Sequence, residues 1–135
     1  MDFSGINPYA VLVAALSNFL VGGLWYSPLL FAKRWMKEIG ITEEELRKAN
    51  MVRIFGLTLL FSLVISANLA FFQRIYQPDW AVGSMVAFMV GLGWVTMSLC
   101  VIALFERRSM AYILIHVGNV VVSYTVMGAI IGAWR

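Results

Sequence analysis

His116, Asn119 and Ser123 stand three and four residues apart, so on a helix they project from one face. An imidazole, an amide and a hydroxyl in a row can line a polar path or bond to a neighbouring helix. Asn18 lies near the middle of a separate apolar run, as Asn119 does in its own. Asn18, His116, Asn119 and Ser123 are therefore the candidate polar cavity of this chain. The competing use is interhelical hydrogen bonding, worth on average about 0.6 kcal/mol per contact in membrane bundles. That use is the commoner one, and it is favoured here.

Catalysis needs more than this face offers. No Asp, Glu, Lys or Arg falls in the central part of any apolar run, which disfavours a proton-driven small exporter. His116 is the single histidine, and no carboxylate at depth can join it, so the three or four ligands of a metal site cannot be assembled. Met85, Met89, Met97 and Cys100 are soft donors of the kind Cu(I) takes. Methionine at helical spacing is far more often an adaptable filler. No Ser/His/Asp or Cys/His nucleophile set can be built with confidence. No catalytic, cofactor-binding or metal-binding residue is assigned, no cofactor is expected, and an enzyme is the weakest reading.

The elements that position these residues are four apolar runs, about residues 8–30, 51–72, 80–105 and 110–134. The chain is 61% hydrophobic and 13% charged, and its charges cluster between the runs. A soluble domain carries about 25% charged residues, so the deficit marks lipid-spanning segments. A hydrocarbon core of about 30 Å takes about 20 helical residues to cross, which each run supplies. The runs lack the period-two alternation of a β-barrel. The fold class is therefore all-α, an integral membrane four-helix bundle forming a single transmembrane domain over residues 1–135. The formal charge of +3 belongs to loop side chains at lipid headgroups, so the expected partner is the bilayer and not nucleic acid. Cys100 is the only cysteine and can form no intrachain disulfide. Met1-Asp2-Phe3-Ser4 lacks a basic region and no cleavage site follows, so the first helix is expected to stay.

The stretch from Phe19 to Lys37 sets the orientation. It passes from hydrocarbon-like helix through Trp25 and Tyr26 to Lys33, Arg34, Trp35 and Lys37, as a span leaving the bilayer does. With Arg107 and Arg108 these residues are the expected interfacial anchors. Lys33, Arg34, Lys37, Arg47, Lys48, Arg53, Arg107 and Arg108 fall on one side, Arg74 and Arg135 on the other. The bias places both termini away from the cytoplasm. Between the first two spans lies an amphipathic cytoplasmic segment. Thr42 and Glu45 form a capping box there, with Glu43–Arg47 and Glu44–Lys48 pairs following. The helix begun at Thr42 is predicted to run unbroken to Phe72, its first turns in water. Asn7, Asp79 and Ser109 are expected caps.

Small residues recur at contact spacing: Gly83, Ala87 and Gly91; Gly128 and Gly132; Ser62, Ser66 and Ala70; and Gly22 on the face of Ala14, Asn18 and Trp25. Some of these stripes are expected to meet a second copy, which predicts a homo-oligomer, with a dimer favoured. FLVGGLWYS at residues 19–27 matches FMVGLGWVT at residues 88–96 in Phe, Val, Gly and Trp. If inherited, the match records a tandem duplication of a helical hairpin.

Leu24-Trp25-Tyr26-Ser27-Pro28-Leu29-Leu30-Phe31, followed by Lys33, Trp35-Met36 and Gly40-Ile41-Thr42-Glu43-Glu44, resembles the bacterial membrane family called domain of unknown function 1761. The resemblance covers nearly the whole chain. It implies a small four-helix membrane protein, no established activity, and no site residues to carry over. Two functions are expected: a structural or accessory membrane protein, and, as the alternative, a small-solute channel or facilitator on the polar faces of helices 1 and 4.

Overall fold

A computed structural model describes residues 5–76 and 79–134. The N-terminal lead, Pro78 in the second connection and the Arg135 anchor lie outside the described residues. The chain forms α1 (Pro8–Trp25), α2 (Ala32–Ile39), α3 (Glu43–Arg47), α4 (Met51–Arg74), α5 (Trp80–Val90), α6 (Met97–Phe105) and α7 (Met110–Ala133). A π-helical turn, Gly91–Thr96, joins α5 to α6 without a break. Among the described residues there is no strand.

Four units are long and apolar enough to cross a membrane: α1, α4, α5 through α6, and α7, of 18, 24, 26 and 24 residues. At 1.5 Å per residue they measure about 27 to 39 Å, against a core of about 30 Å. The protein is an all-helical, four-helix bundle of the membrane type. Each span starts on a polar cap. Asn7 accepts from the Tyr9 and Ala10 amides, Asn50 from Arg53, Asp79 from Val82 and Ser109 from Tyr112. These caps satisfy amide donors that no carbonyl inside the helix can reach.

Two boundaries depart from the sequence expectation. The first helix ends at Trp25 and not near residue 30. Pro28 biases Ser27 away from helical backbone. The Ser27 hydroxyl donates to the Leu24 carbonyl at 2.7 Å, and the chain turns before α2 begins. The helix predicted to run from Thr42 to Phe72 is divided into α3 and α4. The capping box of Thr42 and Glu45 forms as expected. Asn50, however, turns its side chain onto the Arg53 amide at 3.0 Å and starts a new helix. Asparagine competes with helix continuation in this way, which is why it favours caps over helix interiors.

The fourth span is the hub. It has the largest buried share of the four, 33% against 17–22%. It packs on α5, α1 and the π-helical turn, while α4 leans mainly on α1 and scarcely meets α5. The core gathers Ala14, Leu69, Ala70, Ala87, Met127 and Ile131. Glycine makes the closest approach possible. A Cβ on Gly128 would run into the Gly83 carbonyl and the Ala87 methyl, and one on Gly91 would sit 2.9 Å from the Cβ of Tyr124. The stripes Gly83, Ala87, Gly91 and Gly128, Gly132 therefore face each other. Gly22, expected in a contact face, has no atom of another described helix within 4 Å of its Cβ position.

Leu20, Phe55, Phe61, Met85 and Phe105 are exposed along the spans. This suits a lipid solvent as apolar as they are. At one end of the bundle Ser109 donates to the Glu38 carboxylate of α2. That contact sets the basic linker after α1 beside the basic turn before α7.

Candidate functional site

Ser17, Thr58, Asn68, Ser84, Ser98 and Thr125 return their side-chain hydrogen bonds to their own helices, while a smaller set of polar side chains at depth ties one helix to another. The Asn18 amide on α1 donates to the Ser62 hydroxyl on α4 at 2.7 Å. One turn along, the Ser66 hydroxyl donates to the Val11 carbonyl at 2.8 Å. Gln73, near the end of α4, is 1% exposed and donates to the Gly83 carbonyl of α5 at 2.9 Å. Its free Oε1 lies 3.1 Å from where Gly83 would carry a Cβ, so it faces a Cα–H. In an apolar medium the alternative to such bonds is an unpaired polar group, which holds the partners together.

The α1–α7 junction is built differently. The Trp25 indole sits against Gly118, with Cζ2 2.6 Å from that residue's Cβ position, and its Nε1 donates to the Ile115 carbonyl at 2.8 Å. Only a glycine leaves room for the ring. The Tyr26 hydroxyl and His116 Nδ1 share a hydrogen bond of 2.6 Å. Trp25 and Tyr26, expected as anchors in the headgroups, thus spend their polar atoms on α7. His116 continues a ladder of rings. Trp35 meets Tyr26 at 5.3 Å between centroids, Tyr26 meets His116 at 5.6 Å, and His116 meets Tyr112 edge-on at 4.3 Å. Arg108 caps the ladder with its guanidinium 5.1 Å from the Tyr112 ring, within cation–π reach.

The four residues of the predicted cavity separate into two groups. His116, Asn119 and Ser123 share a face of α7, and Ser123 reaches Asn119 at 3.5 Å along its own helix. Asn18 turns to α4 instead. Among the described residues no hydrogen bond joins Asn18 to these three. His116 Nε2 and the Thr96 hydroxyl are buried without partners. Open grooves lie among the described residues. One lies between α6 and α7, another between α4, the π-helical turn and Tyr124 of α7, and Trp94 borders both. Neither is lined by Asn18, His116, Asn119 or Ser123. Among the described residues no cluster of three His, Cys, Asp or Glu side chains could hold a metal.

At the linker end two carboxylates are held in their charged form. Glu38 titrates below its usual value, chiefly through the Ser109 hydroxyl and then through Arg34, whose Nε lies 2.7 Å away. Glu45 is lowered by the Thr42 backbone amide and then by the Thr42 hydroxyl.

A family model described as a protein of unknown function, DUF1761, matches residues 9–132. The chain belongs to the DUF1761 family. No curated protein and no solved structure matches it. The DUF1761 match includes every interhelical bond described above, so these ties lie within the family region and outside any flanking addition.

Sequence reasoning on this DUF1761 chain missed Tyr26 and Tyr112 as the partners of His116. Tyr112 precedes His116 by four residues, a spacing at which side chains meet, and that signal was available. It missed Gly118 too, whose partner is distant in sequence and leaves no periodic trace. The π-helical turn has a weaker signal, Gly91 and Gly93 in mid-span, where glycine lowers helix propensity.

Proposed function

We propose that this protein is an accessory scaffold of the membrane, acting through its lateral surfaces and pairing with a second copy. The observation that carries the reading is the use made of the polar side chains at depth. Asn18, Ser66, Gln73 and Trp25 each bond another helix, and the grooves described above are open. Such bonds fix a bundle and transport nothing.

Support for pairing comes from α1 and α4. Phe19 and Phe55 meet edge-on at 5.8 Å, and near them Gly22, Gly23 and Gly56 have no atom of another described helix within 4 Å of their Cβ positions. Glycines that no other described helix covers leave a shallow surface where a second backbone can approach. The basic linkers gathered at one end support an orientation with that end in the cytoplasm and both termini opposite, in a bacterial inner membrane.

A second reading, a small-solute facilitator on Asn18, His116, Asn119 and Ser123, draws support from one observation. His116 Nε2 and the Thr96 hydroxyl are buried without partners, and such groups attract water or a small polar solute.

One preparation separates the readings. The reconstituted protein is expected to run as a dimer by native mass spectrometry in mild detergent, with Gly22→Leu and Gly56→Leu lowering the dimer fraction. In proteoliposomes it is expected to pass neither urea nor glycerol under osmotic shock. A monomer in all detergents sinks the pairing, and solute flux above that of empty vesicles sinks the scaffold.

A further inference from the structure

The groove between α6 and α7 holds about 620 Å³, and Val95, Leu99, Ile102 and Ala103 form its apolar wall. It is an open groove and not an enclosed cavity. Toward the linker end its lining turns polar, at Glu106 and Tyr112. There Arg108 lies over the Tyr112 ring and binds Glu106 through Nε at 3.2 Å. Arg107, the residue before it in the turn, is exposed, and among the described residues its amide donates to the Leu104 carbonyl while its guanidinium has no partner. Its φ is 55°, the one positive value among described residues other than glycine. Glycine or asparagine adopts that backbone with less strain, and the chain sets an arginine there.

We propose that this groove is a binding site for one glycerophospholipid. An acyl chain lies along Val95, Leu99 and Ile102, and the headgroup phosphate is held by Arg107 and Arg108. Glu106 is the one charged side chain that lines the groove, Arg108 reaches it through Glu106 and the Tyr112 ring, and with Arg107 beside it in the chain the turn carries two guanidiniums against one carboxylate. Glu106 takes one N–H of Arg108 and fixes its plane, and the other donors are left for phosphate oxygens. An apolar slot continuous with a cationic rim complements a molecule carrying both a phosphate and an apolar chain. A free phosphate has no use for the slot, and a diacylglycerol has no use for the rim.

The test is native mass spectrometry of the full chain in mild detergent, with phosphatidylglycerol, diacylglycerol and inorganic phosphate as separate probes. The proposal expects a single phosphatidylglycerol adduct that survives activation, a weaker diacylglycerol adduct, and no displacement by inorganic phosphate. Arg107→Asn keeps the left-handed turn and is expected to abolish the preference for phosphatidylglycerol over diacylglycerol. Ile102→Trp, at an exposed wall position, is expected to remove both adducts while the melting temperature holds. Equal retention of both lipids, or an adduct indifferent to Arg107→Asn, overturns it. So does displacement by inorganic phosphate, which would make this a free-anion site. Loss of the dimer by Ile102→Trp with lipid retention unchanged would give the groove to a second copy, and also overturns it.

Discussion

Gly128 is where one methyl group decides whether two helices meet. Its Cβ position is already taken by the Gly83 carbonyl and the Ala87 side chain. Both partners belong to a packed helix, so neither can give way cheaply. Gly128→Ala is expected to destabilise the fold by about 1–3 kcal/mol, the usual cost of overpacking. Gly93→Ala, where nothing lies within 4 Å, is expected to change it little or to stabilise it by up to about 1 kcal/mol through helix propensity. Thermal unfolding in one detergent compares the two, and equal shifts would contradict the α5–α7 contact described here. At this scale the sequence was readable where small residues repeat, as at Gly83, Ala87, Gly91 and Gly128, Gly132. It was silent at Gly118, because a lone glycine seated against a distant tryptophan has no period. At Gly22 the spacing gave a contact face, and no other helix of the described chain covers it. Periodicity tells which residues share a face, and it does not tell which faces are covered.

The docking of α2 has a pH dependence whose sign is fixed. Glu38 accepts from Ser109 at the start of α7 and pairs with Arg34 on its own helix, and both partners favour the carboxylate. Its folded-state value is thereby depressed below the ordinary 4.5. The contribution is therefore fully present above that ordinary value and is lost as pH falls through the depressed one. Amide exchange in residues 32–39 is expected to lose protection as the pH is lowered below the ordinary carboxylate range, and Ser109→Ala is expected to move that loss to higher pH. Exchange in α2 indifferent to both would remove Glu38 from the docking contact. The elements themselves were the most legible part of the chain. Four apolar runs of spanning length gave the spans, and Asn7, Asp79 and Ser109 gave three of their four caps. The divisions inside them were less so. Asn50 was read through as helix because propensity and length favoured continuation, while its side chain preferred the Arg53 amide. The π-helical turn escaped because hydropathy does not register a change from α to π hydrogen bonding inside an apolar run.

At the scale of the whole molecule, α7 organises the bundle, and much of the apolar surface of the spans points outward. The charge pattern anticipated that both basic linkers would share an end, and the Glu38–Ser109 contact brings them together. The candidate cavity was legible only as a list of polar residues at depth. Nothing in the spacing of Asn18 distinguished a lining position from a partner for Ser62, since that depends on how α1 is rotated against α4. The central claim is that the polar face of α7 lies in a dry helix contact and not along an aqueous path. The most direct measurement is thiol labelling of Asn119→Cys in a Cys100→Ser background, in sealed proteoliposomes, with a membrane-impermeant reagent applied from each side in turn. The account predicts no labelling at Asn119→Cys from either compartment, with ready labelling of a Lys37→Cys control from one of them. Labelling of Asn119→Cys from either side would contradict it.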